Sequence, residues 1–250
     1  MKKSLPNCFV LALLPLATSA QVSQNLSLQP GPVITLQPGA NLSALALADF
    51  NGDNRGDVAV CQRGLNSVAV YLQVNGAYPA SPNGTYATGT SPTGLVAASL
   101  TNTASRPLRD LVAVSGPSYR WTLLQNTNNG QGTFTPLATT AVFGTSFIST
   151  SPSLQTAFLN ADNYSDFAYT YDPPGQRGIF WIGHYGNGTF RSPDFLNIGY
   201  VPSSFALTDF DRDGYTDVVY TNTSGSEVRV VFAYPLNNAP SWALPAYRPF

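Results

Sequence analysis

At 250 residues the chain is long enough to bury a core of its own, and a formal charge of −1 with a pI near 5.6 leaves no broad basic field for nucleic acid or an anionic membrane. Only 10 % of the residues are charged, which excludes an architecture of exposed helices laced by ion pairs. With 21 glycines and 20 prolines, the composition suits many short strands joined by turns.

The chain opens with Met1-Lys2-Lys3, continues through the apolar run CFVLALLPLA and reaches the small-residue triplet Thr18-Ser19-Ala20. Positive start, apolar middle and small-residue end are the three parts of a cleaved signal peptide, expected over residues 1–20. Pro15 breaks the run, which is too short to span a bilayer, and no later segment is long enough either. Residues 21–250 are therefore expected to be an exported protein, secreted or at the cell surface, without a membrane span. Cleavage removes Cys8 and both lysines, leaving Cys61 without a disulfide partner and ten arginines against 13 acids. Cys61 lies in an apolar strand-like run, where a thiol is expected to act as a small buried hydrophobe.

From residue 47 onward four segments share one pattern: LADFNGDNRGDVAV (47–60), ASLTNTASRPLRDLVAV (98–114), AFLNADNYSDFAY (157–169) and LTDFDRDGYTDVVY (207–220). Each has an apolar approach, a polar loop, a closing aspartate and an apolar run. The closing residues Asp57, Asp110, Asp166 and Asp217 stand 53, 56 and 51 residues apart. A second apolar run follows each (SVAVYLQ, WTLLQN, GIFWIGHY, EVRVVFAY), and in three units a Gly/Asn turn then closes on an aromatic: NGAY, GQGTF, NGTF. The fourth unit has only NNAPSW at that place. Period-2 patterning and β-branched content predict about four strands per unit, the size of a β-propeller blade. The expected fold is an all-β propeller of four blades. GPVITLQPG resembles the last strand of a unit and could complete the final blade and close the ring, while PSWALPAYRPF looks like the same strand again and leaves an open or incomplete ring as the alternative.

The loops concentrate acid. Nine of the 13 acids (49, 53, 57, 162, 166, 209, 211, 213 and 217) fall in three of them. Counted from its first aspartate, the first loop places side-chain oxygens at positions 1, 3, 5 and 9: Asp49, Asn51, Asp53 and Asp57. The fourth repeats this with Asp209, Asp211, Asp213 and Asp217. Arg55 and Tyr215 at position 7 add a backbone carbonyl. Crowded carboxylates repel one another unless a cation neutralises them, and a cage of hard oxygens suits Ca²⁺. Asn54 or Gly214 at position 6 fits the sharp bend such a loop needs. An EF-hand is excluded, since position 12 is Val60 or Tyr220 where that loop requires Glu, and strand rather than helix follows. In the third loop Asn160, Asp162 and Asp166 hold positions 3, 5 and 9, but Phe158 replaces the first ligand, so filled and empty states stand equal. The second loop offers Arg106 and Arg109 where acids are wanted, and Asp110 is expected to hold it by hydrogen bonds or an ion pair.

The run ALTDFDRDGYTDVVY resembles the FG-GAP (VCBS-type) repeat of integrin α-chain propellers and many exported bacterial proteins. That resemblance extends over nearly all of residues 29 to 250 and implies a β-propeller with Ca²⁺ in the loop joining the first two strands of a blade. By motif position it implies metal ligands at Asp49, Asn51, Asp53, Arg55 (carbonyl) and Asp57, and at Asp209, Asp211, Asp213, Tyr215 (carbonyl) and Asp217. The family is usually seven-bladed, so four motifs are a departure from it. On this reading Asp57 belongs to a metal loop, and the triplet Arg55-Gly56-Asp57 is not an adhesion signal.

Catalytic machinery is not legible. The sole histidine, His184, has no assignable Ser/Asp partners, and NNGQGTF lacks the lysine and helix of a phosphate loop. The expectation is a non-enzymatic, Ca²⁺-stabilised binding or adhesion module for a glycan or protein, the alternative being a purely structural repeat module. Tyr119, Trp121, Trp181, Tyr185 and Trp242 have the chemistry to stack on sugars, but ordinary packing between blades is the favoured account of each, and none is named as a site.

Overall fold

A computed structural model describes residues 30–101, 108–115, 120–137, 140–141, 153–159, 164–172, 177–183, 189–190, 194–222, 225–236 and 239–241. The signal-peptide region, Arg106, Tyr119, Asn160, Asp162, His184, Tyr185 and Trp242 lie outside them.

The first sheet runs β1 (Leu42–Ala48), β2 (Asp57–Gln62), β3 (Ser67–Tyr71) and β4 (Gly84–Ala87), each antiparallel to the next. A 3-10 turn at Arg63–Leu65 ends on Asn66 in the left-handed conformation, which reverses the chain into β3. The second sheet is β5 (Pro92–Ala98), β6 (Asp110–Ser115), β7 (Arg120–Asn126) and β8 (Phe134–Pro136). Its outer edge is completed by β9 (Thr140–Ala141), which pairs with the beginning of β7 while β8 pairs with its end. The third is β10 (Leu154–Ala157), β11 (Asp166–Tyr171), β12 (Gly178–Ile182) and β13 (Asp194–Asn197). The fourth has β14 (Phe205–Thr208), β15 (Asp217–Asn222) and β16 (Glu227–Val231), and after it β17 (Tyr234–Leu236) pairs only with β18 (Ala239–Ser241). That short hairpin occupies the place where the first three units have their Gly/Asn turn.

The period of two puts alternate side chains on opposite faces, and both faces of a middle strand are apolar because each meets a neighbouring sheet. Ala59, Cys61, Val68 and Val70 of the first sheet pack against Leu95, Leu111, Ala113 and Leu124 of the second. The second sheet turns Val112, Val114, Trp121 and Leu123 toward Phe167, Tyr169, Phe180 and Ile182 of the third. The third turns Ala168, Ile179, Trp181 and Leu196 toward Phe205, Val218, Tyr220 and Val231 of the fourth. The first strands of successive sheets, β1, β5, β10 and β14, lie next to one another in that order. This is a four-bladed propeller arranged as an open succession: among the described residues no apolar cluster joins the fourth blade to the first.

The N-terminal segment does not complete the fourth blade. Residues 30–41 form no strand, and Ile34 and Leu36 pack instead with Val60, Ala69 and Tyr71 on the otherwise uncovered face of the first blade. Pro32 and Pro38 have no N–H for a ladder, and Gly39 turns the chain with φ of 82°, so the segment serves as an apolar cover and not as a paired strand. Cys61 is fully buried, its Sγ 3.7 Å from the Gly94 carbonyl, and burial pushes its thiol up to about 12. Trp121 and Trp181 are buried in the interblade clusters, which removes both from any sugar-stacking surface.

Candidate functional site

The connections between the first two strands of the blades carry the repeated aspartates. In the first loop Asp49 Oδ1 accepts the N–H groups of Gly52 and Asp53, at 2.6 and 3.2 Å, and its Oδ2 accepts that of Asn54 at 2.7 Å. Asn51 Oδ1 accepts the Asp53 N–H at 3.0 Å, and Asp53 Oδ1 accepts the Arg55 N–H at 2.9 Å. The fourth loop repeats the arrangement. Asp209 accepts the Asp213 and Gly214 N–H groups at 3.1 and 3.0 Å, Asp211 accepts the Asp213 N–H at 3.2 Å, and Asp213 accepts the Tyr215 N–H at 2.9 Å. Each acid thus accepts from the backbone two to five residues ahead, a nested series of Asx turns that coils the loop.

Such coiling needs left-handed backbone at two places. Position 6 is one, with φ of 63° at Asn54 and 92° at Gly214, as the spacing implies. Position 4 is the other, with φ of 83° at Gly52 and 65° at Arg212. Sequence reading missed it because Arg212 is not a residue type that signals left-handed backbone.

Coiling brings the carboxylates of Asp209, Asp211 and Asp217 together, with one oxygen from each within 4.8 Å of the others. Three hard oxygen donors at that separation fit around a single Ca²⁺ at bond lengths of about 2.3–2.6 Å. The carboxyl of Asp211 is raised above its ordinary range, first by the solvent it loses in the crowded loop and then by the charges of Asp213, Asp217 and Asp209. Asp213 lies outside the converging trio and holds the turn. In the first loop Arg55 sits 3.9 Å from Asp53, and Asn51 Nδ2 donates to Asp53 Oδ2 at 3.2 Å, so loop partners neutralise part of the charge.

The closing aspartates do something the spacing alone did not show. Asp57, Asp110, Asp166 and Asp217 are all fully buried at the start of the second strand of their blades. Asp57 Oδ2 accepts the Phe50 N–H at 2.8 Å, and its Oδ1 accepts the Gln73 N–H at 2.9 Å, beyond the end of β3. Asp217 does the same with Phe210 and Ala233, both at 2.8 Å. Asp166 accepts the Leu159 N–H at 2.9 Å. Asp110 accepts the N–H groups of Leu100 and Thr101 and the Thr101 hydroxyl on Oδ2, and the Asn126 N–H on Oδ1. Each of these four carboxylates pins the start of its own loop, and Asp57, Asp110 and Asp217 also pin the residue 16 positions ahead, where the third strand ends. Burial raises Asp57 and Asp110 above the ordinary carboxylate range against the pull of those N–H groups, and Asp49 and Asp53 add to it at Asp57. With Asp57 buried and Tyr78 donating to the Gly56 carbonyl at 2.8 Å, Arg55-Gly56-Asp57 cannot present its acid to an outside receptor.

In the second loop the expected hydrogen bonds are present, with Arg109 Nη1 donating to Ser99 Oγ at 2.7 Å. In the third, Phe158 is more than half exposed at position 1 and its carbonyl accepts the Thr216 hydroxyl at 2.8 Å, linking the third and fourth loops. Asn126 similarly donates to the Phe50 carbonyl at 2.9 Å, linking the second blade to the first loop.

Residues 159–220 match the FG-GAP-like repeat family, a span that runs from the third loop to β15 and includes the whole fourth loop. No curated protein sequence matches the chain. Among solved structures it is similar to a protein from Lactobacillus plantarum, with TM-score 0.55 and 14 % identity over 83 % of this chain and 56 % of that one. It is also similar to Sqt1 of Saccharomyces cerevisiae (TM-score 0.48, 11 % identity, 73 % of this chain and 42 % of that one). A third is BBS1N, crystallised in complex with ARL6DN (TM-score 0.48, 10 % identity, 83 % of this chain and 56 % of that one). The chain spans about half the length of these structures. Among the described residues no helix is long and apolar enough to cross a membrane.

Proposed function

The chain is an FG-GAP-repeat β-propeller protein, and from that premise we propose that it is an exported Ca²⁺-binding module that presents its loops to a protein or glycan ligand, without catalysis of its own. The convergence of Asp209, Asp211 and Asp217 within 4.8 Å carries the metal half of this reading. The fourth loop is the principal Ca²⁺ site. The first, built on Asp49, Asn51, Asp53 and Asp57, is the second, and the third through Asp166 is the weakest. Bound Ca²⁺ would supply the positive charge that lets the exposed loop carboxylates pack side by side, leaving the outward side chains in one fixed arrangement. Residues 1–20 carry the signal-peptide pattern and support export, secreted or surface-held.

Thermal unfolding of the purified protein in EDTA and across a Ca²⁺ titration tests the metal. An ion that binds only the folded state stabilises it by about 2.7 kcal/mol at 100 times its Kd. Asp211→Ala should shrink the resulting rise in midpoint, whereas Asp110→Ala should lower the baseline and leave the rise intact. An unchanged midpoint at millimolar Ca²⁺ removes the metal reading. Screening on a glycan array in Ca²⁺ then separates a lectin, which gives a saturable signal, from a protein-binding or purely structural module.

A further inference from the structure

The three interblade interfaces follow one rule. In every case the forward face of a blade is built on the residue two after its closing aspartate (Ala59, Val112, Ala168), and it packs on the rear face of the next blade, built on the residue one after that blade's closing aspartate (Leu111, Phe167, Val218). By the same rule the fourth blade has a forward face. Strand register puts Ala206, Val219 and Val230 on it together, with Val228 beside them opposite Thr221. Among the described residues no further sheet covers it: Val228 is 68 % exposed, Ala206 is exposed, and Val219 and Val230 are half-buried. The first blade has a rear face on which register aligns Leu45 with Val60 and Leu47 with Val58. Its outer part lies under Ile34 and Leu36, but on its inner part Leu45 and Leu47 are 63 % and 64 % exposed.

The forward face of the fourth blade and the uncovered inner strand of the first blade's rear face match the two sides of the interface the protein already makes three times within itself, with Ile34 and Leu36 lying over the rest of that rear face. We propose that the forward face of the fourth blade packs on the rear face of the first blade of a second copy, and reciprocally, so that two chains close one ring. A head-to-tail contact closes only when its rotation is right, and two sets of four blades fall within the range of about four to eight blades found in propellers.

Sedimentation velocity of the purified protein over a concentration series provides the test. The expected species has twice the mass of the monomer. Leu45→Asp with Leu47→Asp spoils only the rear face, and Val228→Asp with Val230→Asp only the forward face. Each double variant should be a folded monomer, with its β-sheet circular dichroism unchanged. Mixing the two variants should restore a heterodimer of weaker affinity, because one of the two interfaces is then intact. A wild-type monomer at every concentration, an open polymer, or a dimer that persists in either variant would overturn the proposal.

Discussion

Replacing Asp110 by alanine isolates the structural work of a closing aspartate, because no other acid of its loop lies beside it. The substitution strips the partner from the N–H groups of Leu100, Thr101 and Asn126 and from the Thr101 hydroxyl, bonded at 3.1, 2.7, 2.8 and 2.9 Å. Leu100 and Asn126 are buried, so their N–H groups gain no water in exchange, whereas Thr101 is only half-buried and is resolvated in part. Each buried donor left unsatisfied costs about 1–3 kcal/mol. Against this, a buried carboxylate that burial has raised above its ordinary range is itself a strained charge, and removing it returns part of the cost. The balance is a loss of about 3 kcal/mol. Equilibrium unfolding in urea measures it, read as a fall in midpoint at constant slope. Asp110→Asn should cost nearly as much, since its amide turns a second donor toward one of the N–H groups. Glu227→Ala, which removes an exposed ion pair with Arg229, is the control and should stay within about 0.5 kcal/mol. A loss at Asp110→Ala below about 1 kcal/mol, or a silent Asn, would show that the carboxylate is not what holds the blade.

The same residue makes a pH prediction. Its folded carboxyl keeps its proton to higher pH than the unfolded chain does, so its stabilising contribution is complete below the unfolded value and is lost as pH rises through the folded one. The stability gap between wild type and Asp110→Asn should therefore shrink as pH rises above the ordinary carboxylate range, and a gap that widens would reverse the sign. Position 4 of the fourth loop predicts a gain: Arg212→Gly relieves a non-glycine residue at φ of 65° and should stabilise by about 0.5–1 kcal/mol, while Gly214→Ala, at φ of 92°, should cost about 1–2 kcal/mol, both read by urea unfolding. Cys61 should resist an aromatic disulfide reagent in the native protein and react only on unfolding, because its thiol is buried and raised to about 12. Fast labelling under native conditions would place it near the surface.

The propeller was legible because a strand sandwiched between two sheets reads as an apolar run, and the four runs that follow the aspartates became β2, β6, β11 and β15. The loops were legible because alternate acids have few other reasons to recur at one spacing. Ring closure was not. GPVITLQPG has the composition of a strand, but whether it pairs or covers depends on which apolar surface is left open nearby, and Val60, Ala69 and Tyr71 supplied one on the first blade. Position 4 was hidden for a different reason, since only glycine, asparagine and aspartate announce left-handed backbone and Arg212 does not.

The buried aspartates explain how one repeat tolerates loops as different as the second and the fourth. Two oxygens of the ninth-position carboxylate pin the loop to the end of the third strand, and in the second blade that pinning operates on a loop with no other acid. The blade therefore does not depend on an ion for its geometry. Acids at positions 1, 3 and 5 can be gained or lost on a loop whose ends are already held, and among the described residues three carboxylates converge where Asp209 and Asp211 meet Asp217. On the proposed reading, ion binding is layered on a fold-determining contact. For that reason Ca²⁺ should raise the unfolding midpoint through the fourth loop without being needed to fold the blade that contains Asp110.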